Sequence, residues 1–231
     1  GSMSSSLGEE ERPEKNAEFD LDKAISRNFQ EQINAITSLD GALGEDGLKS
    51  ISYPDGGIYR GEVRKNMWHG KGKLLHSNGD VYEGEFVHDA KNGKGVIVEA
   101  NGRRYKGEWK DNEPCGRGQF IFVNGDEYEG DVMNGMFQGR GRYCWKDGRV
   151  YEGDWHKSKM HGKGCFIYAN GDSYDGDWYE DQKHGAGYLI EGKLEHSVFY
   201  NEGKLVAYGK RCNTSKFALP RMVMKEDVVN Q

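Results

Sequence analysis

The sequence predicts an all-β repeat array: an elongated single-layer antiparallel sheet of tandem hairpins, with an N-terminal amphipathic helix and a C-terminal capping segment. Three observations carry this. Tyrosine recurs every 23 residues, at Tyr59, Tyr82, Tyr105, Tyr128, Tyr151 and Tyr174. Paired glycines keep the same step, from Gly70/Gly72 through Gly93/Gly95, Gly116/Gly118, Gly139/Gly141 and Gly162/Gly164 to Gly185/Gly187. Turn glycines follow in register at Gly79, Gly102, Gly125, Gly148 and Gly171. Three landmarks holding one register over six cycles mark stacked repeats.

Each cycle reads as two short strands. The first is Tyr-x-Gly-(Glu/Asp)-(aromatic or Val), as in Tyr82 to Phe86 and Tyr105 to Trp109. Side chains alternate along a strand, so Tyr105, Gly107 and Trp109 share one face and Lys106 and Glu108 the other. The second strand begins at the paired glycines, as in Gly118 to Phe122. Asn78-Gly79, Asn101-Gly102, Asn124-Gly125, Asp147-Gly148 and Asn170-Gly171 then supply the signal for a two-residue type I′ hairpin turn. The link from first to second strand, such as Lys110 to Cys115, reads as longer, polar and irregular. Glycine weakens a strand and needs a reason there. The Gly of Tyr-x-Gly leaves room for an aromatic ring from a neighbouring strand; the Gly-x-Gly pair lets the backbone bulge. Six such hairpins at ~4.8 Å per strand give a sheet on the order of 55–60 Å long.

The pattern Tyr-x-Gly-(Glu/Asp)-Trp, then Gly-x-Gly, then (Asn/Asp)-Gly resembles the MORN repeat family (membrane occupation and recognition nexus). The resemblance runs from residue 57 to about 190, preceded by a half repeat in which Gly47 and Asp55-Gly56 fall in phase. It implies the repeat fold. Members of the family often sit on cytoskeletal or membrane-associated assemblies, sometimes as dimers, with phosphoinositide binding as a proposed family role. At the far end the next tyrosine is due at Ser197, inside His196-Ser197-Val198-Phe199-Tyr200, which suggests a cap.

The chain divides in order as follows. Residues 1–17 are a tag remnant (Gly1-Ser2) and a disordered acidic segment. Residues 18–41 carry Leu21, Ala24, Ile25, Phe29, Ile33, Ile36 and Leu39 in one stripe, with Asp20 as N-cap and Gly41 as stop. This helix has no core of its own. It docks on the sheet, pairs with a second chain as in a homodimer, or awaits a partner. Residues 47–196 are the array. Residues 197–231 form a cap and tail, with a hairpin turning at Asn201-Glu202-Gly203 and a short helix from about 219 to 229.

Composition narrows the function. Of 231 residues only 35% are hydrophobic, which a solenoid tolerates because each unit buries only its contacts with neighbours. No apolar run approaches the ~20 residues that span a bilayer, and no signal peptide is visible. Net charge is −6, from −7 over residues 1–46, −2 over 47–196 and +3 over 197–231. No basic face broad enough for nucleic acid follows from this. Cys115, Cys144, Cys165 and Cys212 read as reduced cytoplasmic thiols.

No constellation stands out from the repeat as catalytic or metal-binding. His69, His161 and His184 each precede a Gly-x-Gly and read as loop residues, too far apart to share one metal ion. The carboxylate column Glu62, Glu85, Glu108, Asp131, Asp154 and Asp177 recurs once per repeat, as a structural position does. The Gly-Lys-Gly runs lack the rest of a phosphate loop. The aromatic pairs Phe120/Phe122, Tyr143/Trp145 and Phe166/Tyr168 crowd the middle of the array on one face. They divide between core and a surface that grips a partner helix or extended peptide. The expected function is therefore a non-catalytic scaffold or adaptor without cofactor. The alternative is an acidic-phospholipid-binding, membrane-targeting module using Arg103, Arg104 and Lys106, or Lys210, Arg211 and Lys216 of the tail.

Overall fold

A computed structural model of the chain describes residues 46–213. Fifteen strands follow one another: β1 (Gly47–Ser52), β2 (Ile58–Arg64), β3 (Met67–Leu75), β4 (Val81–Val87), β5 (Ala90–Val98), β6 (Arg104–Lys110), β7 (Glu113–Ile121) and β8 (Glu127–Met133). Then come β9 (Met136–Cys144), β10 (Val150–His156), β11 (Lys159–Ile167), β12 (Ser173–Tyr179), β13 (Gln182–Glu191), β14 (Leu194–Asn201) and β15 (Lys204–Asn213). They make one open antiparallel sheet whose spatial order is the chain order. At about 4.8 Å per strand it runs about 65–70 Å. Among the described residues there is no helix. The expectations for residues 1–17, the helix over 18–41 and the helix from about 219 lie outside the described residues.

The two kinds of hairpin turn are exchanged relative to the sequence reading. The tight two-residue turns lie where a long link was expected. Lys65-Asn66, His88-Asp89, Asp111-Asn112, Asn134-Gly135, Lys157-Ser158 and Glu180-Asp181 all hold φ between 46° and 72°, as a type I′ turn requires. Left-handed backbone costs a non-glycine residue about 1–2 kcal/mol. Bonds to the preceding hairpin offset it: Asp89 N–H donates to Trp68 O at 3.1 Å, and Asp89 Oδ1 accepts from Trp68 N at 2.6 Å. Asn112 with Lys91, Ser158 with Phe137 and Asp181 with Met160 repeat this clasp. The Asn-Gly sites form three-residue loops in which only the glycine has positive φ. In the first, His76 N–H donates to Asp80 O at 2.8 Å and Gly79 N–H to His76 O at 2.9 Å.

The second strand of each repeat also begins three residues earlier than expected, at Met67, Ala90, Glu113, Met136, Lys159 and Gln182. His69, His161 and His184 are therefore strand residues. The first glycine of each pair sits in a bulge, with φ from 56° at Gly70 to 74° at Gly93, and the ladder shifts register opposite it in all six repeats. The second glycine faces the glycine of Tyr-x-Gly, as in Gly130↔Gly141. The ring that fills this gap comes from the same strand, not from a neighbour. A Cβ on Gly141 would lie 2.4 Å from Tyr128 Oη, and one on Gly130 would lie 2.4 Å from Gly141 Cα.

The array does not stop at Tyr174. Tyr174 pairs with Leu189 and Leu189 with His196, just as Tyr151 pairs with Phe166 and Phe166 with Tyr174. His196, fully buried, stands in the tyrosine's place. The phase slips by one because the turn before it, Gly192-Lys193, is only two residues long. The hairpin expected at Asn201-Glu202-Gly203 is present as β14–β15 and forms a seventh, degenerate unit.

Candidate functional site

One face of the sheet carries a continuous aromatic layer. Each of the six tyrosines is buried and donates its hydroxyl to the main-chain oxygen three residues on: Tyr59 to Glu62 O at 2.7 Å, Tyr128 to Asp131 O at 2.7 Å, Tyr151 to Asp154 O at 2.9 Å. Tyr82, Tyr105 and Tyr174 do the same. Burial pushes all six hydroxyls above the ordinary tyrosine range, Tyr174 to about 12, so they stay protonated donors. Where the residue four positions later is aromatic, it meets the ring edge-on within the repeat and from the preceding repeat. Trp155 lies 5.1 Å from Tyr151 and 5.6 Å from Tyr128; Trp178 lies 5.4 Å from Tyr174 and 5.4 Å from Tyr151. The indole N–H groups of Trp109, Trp155 and Trp178 donate to Gly95 O, Gly141 O and Gly164 O at 3.2, 3.0 and 2.9 Å.

A second column lies over this layer at the start of each second strand: Trp68, Lys91, Pro114, Phe137, Met160 and Lys183. The strand pattern of the sequence does not point to it, because those residues fall in the expected links. The signal was available in the same 23-residue step. Phe137 lies flat on Tyr128 at 3.7 Å, and Trp68 flat on Tyr59 at 4.8 Å. Lys91 stands over Tyr82 and Trp109, and Lys183 over Tyr168, Tyr174 and Tyr200.

Between these columns, in the middle of the array, is an open depression of about 450 Å³ lined by Phe120, Phe122, Phe137, Tyr143, Trp145, Trp155 and Met160, with Arg103, Ser158 and Asp181 among the polar groups. Four of the six expected binding residues thus come together here. Phe120 is buried core at 2% exposure, and Phe166 is buried at 7%. Both serve mainly as support, Phe166 backing Trp145 at 5.3 Å and Tyr168 at 4.9 Å. Phe122, Tyr143, Trp145 and Tyr168 remain half-exposed. Tyr168 extends the aromatic strip beyond the depression. Tyr143 is fixed by its hydroxyl, which donates to Asp126 Oδ2 at 2.8 Å. Asp126 also accepts from Lys146 N and Asn124 Nδ2 at 2.9 and 2.8 Å. Burial works to raise the Asp126 carboxyl, but these donors prevail and hold it below the usual carboxylate range.

The lipid-binding candidates do not converge. Arg103 lies on the aromatic face, 5.6 Å over Phe120 and 3.0 Å from Glu99. Arg104 and Lys106 line a depression on the opposite face. Lys210 and Arg211 fall on β15, at the far edge of the sheet, and Lys216 lies outside the described residues. The carboxylate column is structural in its bonding: Glu62, Asp131 and Asp154 accept the bulge N–H groups of Lys71, Arg140 and Lys163 at 3.0, 3.0 and 2.9 Å. Arg117–Asp131, Arg140–Asp154 and Lys163–Asp177 then bridge successive repeats. Burial pushes the Cys165 thiol up to about 11, away from a reactive thiolate.

No curated protein matches the chain. Among solved structures, the SAS-4 (dCPAP) TCP domain in complex with a proline-rich motif of Ana2 (dSTIL) of Drosophila melanogaster is similar in outline, at 10% identity and a TM-score of 0.36, covering 78% of this chain and 96% of that one. The description of the MORN repeat matches residues 59–81, 82–102, 105–127, 128–148, 151–173 and 174–190. Each match opens on the tyrosine and encloses the glycine pair whose contacts are given above, and on that ground the chain belongs to the MORN repeat family.

Proposed function

We propose that the chain is a non-catalytic scaffold that holds a helix or extended peptide of a partner protein against its aromatic face, at a cytoskeletal or membrane-associated assembly. The supporting observation is the open depression ringed by Phe122, Tyr143 and Trp145 and extended by Tyr168. Partly exposed aromatic rings surround unfilled space there. Rigid aromatic side chains around a concavity are the usual anchors of binding energy. A helix about 10–12 Å across, side chains included, matches the roughly 10 Å advance of one two-strand repeat. Trp145→Ala with Tyr168→Ala is expected to lower partner capture by about 30-fold or more, from the ~2 kcal/mol of a single such anchor. The circular dichroism is expected to stay unchanged. Undiminished capture by the double variant refutes the groove.

A further inference from the structure

The opposite face carries its own depression, of about 810 Å³, lined by Val81, Val96 and Val98 on its floor and by Lys94, Arg104, Lys106 and Arg117 against Glu83 and Glu108. The floor belongs to an apolar row that crosses the strands in register: Ile58, Leu75, Val81, Val98, then Arg104 and Ile121. The cations are not equally engaged. Arg117 faces Asp131 at 3.7 Å, and Lys73 takes Glu83 at 2.7 Å. Among the described residues no ion pair joins Lys94, Arg104 or Lys106 to a carboxylate.

We propose that residues 18–41 of the same chain dock in this groove, with their apolar stripe on the Ile58–Ile121 row and their carboxylates against Lys94, Arg104 and Lys106. Three features select this occupant. The first is charge: residues 18–41 hold 5 acidic and 2 basic side chains, opposite in sign to the groove rim. The second is reach. The segment joins the sheet at β1, three strands from the groove over β4 to β7. Residues 40–45 span up to about 20 Å, and a helix over the 21 residues from Phe19 to Leu39 is about 31 Å long, enough to cross about six strands. The third is spacing. The apolar row advances about 9.6 Å per repeat, and a helix advances about 10.8 Å in two turns, so Leu21, Phe29 and Ile36 meet successive repeats nearly in step. A bilayer fits less well. The groove is concave, and Glu83 and Glu108 interrupt its positive rim.

The test is zero-length carbodiimide cross-linking of the full chain, mixed in equal parts with isotopically heavy chain, followed by mass spectrometry. Links from Asp20, Asp22, Glu31 or Asp40 to Lys94 and Lys106 within one isotopic species are expected. They are expected to fall at least tenfold in Phe29→Lys, which places a charge in the apolar stripe and leaves the sheet untouched. Links confined to other lysines, links mainly between heavy and light chains, or links insensitive to Phe29→Lys overturn the proposal. So does a full chain that shows none of these links yet sediments with phosphatidylserine–phosphatidylcholine vesicles through Lys94 and Lys106. That result would assign the face to lipid.

Discussion

Gly130→Ala tests the packing rule that builds every repeat. Gly130 lies in β8 opposite Gly141, under the Tyr128 ring. A methyl group there would sit 2.4 Å from Gly141 Cα, 2.6 Å from Arg140 O and 2.6 Å from Tyr128 Oη. Two of the three are backbone, so no side-chain rotation relieves the clash. Overpacking of this kind costs about 1–3 kcal/mol. Displacing the ring also loses the hydroxyl bond to Asp131 O, about 1 kcal/mol more. The sum is about 3 kcal/mol, and with a urea slope of about 2 kcal/mol/M it lowers the unfolding midpoint by about 1.5 M. Gly148→Ala is the control. Gly148 has φ of 91° and nothing within 4 Å of an added Cβ, so only the backbone term of about 1 kcal/mol applies. Tryptophan fluorescence against urea measures both variants. If Gly130→Ala shifts the midpoint no further than Gly148→Ala, the tyrosine-over-glycine contact does not hold the array together.

Two further outcomes follow from the same geometry. Trp155→Phe keeps the ring but leaves Gly141 O without the indole donor at 3.0 Å; about 1–2 kcal/mol is lost, a Tm drop of about 2–8 °C by scanning calorimetry, and an unchanged Tm refutes the bond's role. The Asp126 carboxyl is held below its unfolded value, so its contribution is complete above about pH 4 and disappears as pH falls through the folded value. The Tm gap between the natural chain and Asp126→Asn should therefore narrow between pH 7 and pH 3; a gap of constant size would show that the carboxylate charge is not what ties Tyr143 and Lys146.

The 23-residue step made the sheet legible because each landmark has a strict steric reason. The tyrosine needs two glycines beneath it, and the bulge needs a third with positive φ. The turns were not legible in the same way. Asn-Gly is a strong local signal for type I′, yet here it closes a three-residue loop. His88-Asp89 and Asp111-Asn112 carry no glycine, and their left-handed backbone is held by hydrogen bonds to the hairpin before them. Such contacts are tertiary and leave no mark in a two-residue window. The seventh unit was hidden by one deleted residue at Gly192-Lys193, which moved the buried ring from the expected Ser197 to His196. Of the site, the crowding of aromatics was visible, but not its division into support and surface. That division depends on Phe137, which falls in the expected link between strands.

Phe137 also explains why the depression lies where it does. The position four after the tyrosine reads Val63, Phe86, Trp109, Val132, Trp155, Trp178 and, in the last unit, Tyr200. Where it is valine, an aromatic five residues later replaces the missing volume: Trp68 after Val63, Phe137 after Val132. The replacement changes the geometry. A tryptophan on the first strand meets its tyrosine edge-on, as Trp155 meets Tyr151 at 90°, whereas Phe137 lies on Tyr128 at 8°. The flat ring lies along the layer and lines the depression. Its neighbours Phe122, Tyr143 and Trp155, at 6.3, 6.0 and 5.3 Å, then become walls rather than ceiling. At Trp68, Tyr53 meets the ring edge-on at 6.0 Å, and its hydroxyl accepts the Trp68 indole N–H at 2.9 Å. The residues that repeat without change thus define the sheet, and a paired departure from the repeat, Val132 with Phe137, shapes the surface available to a partner.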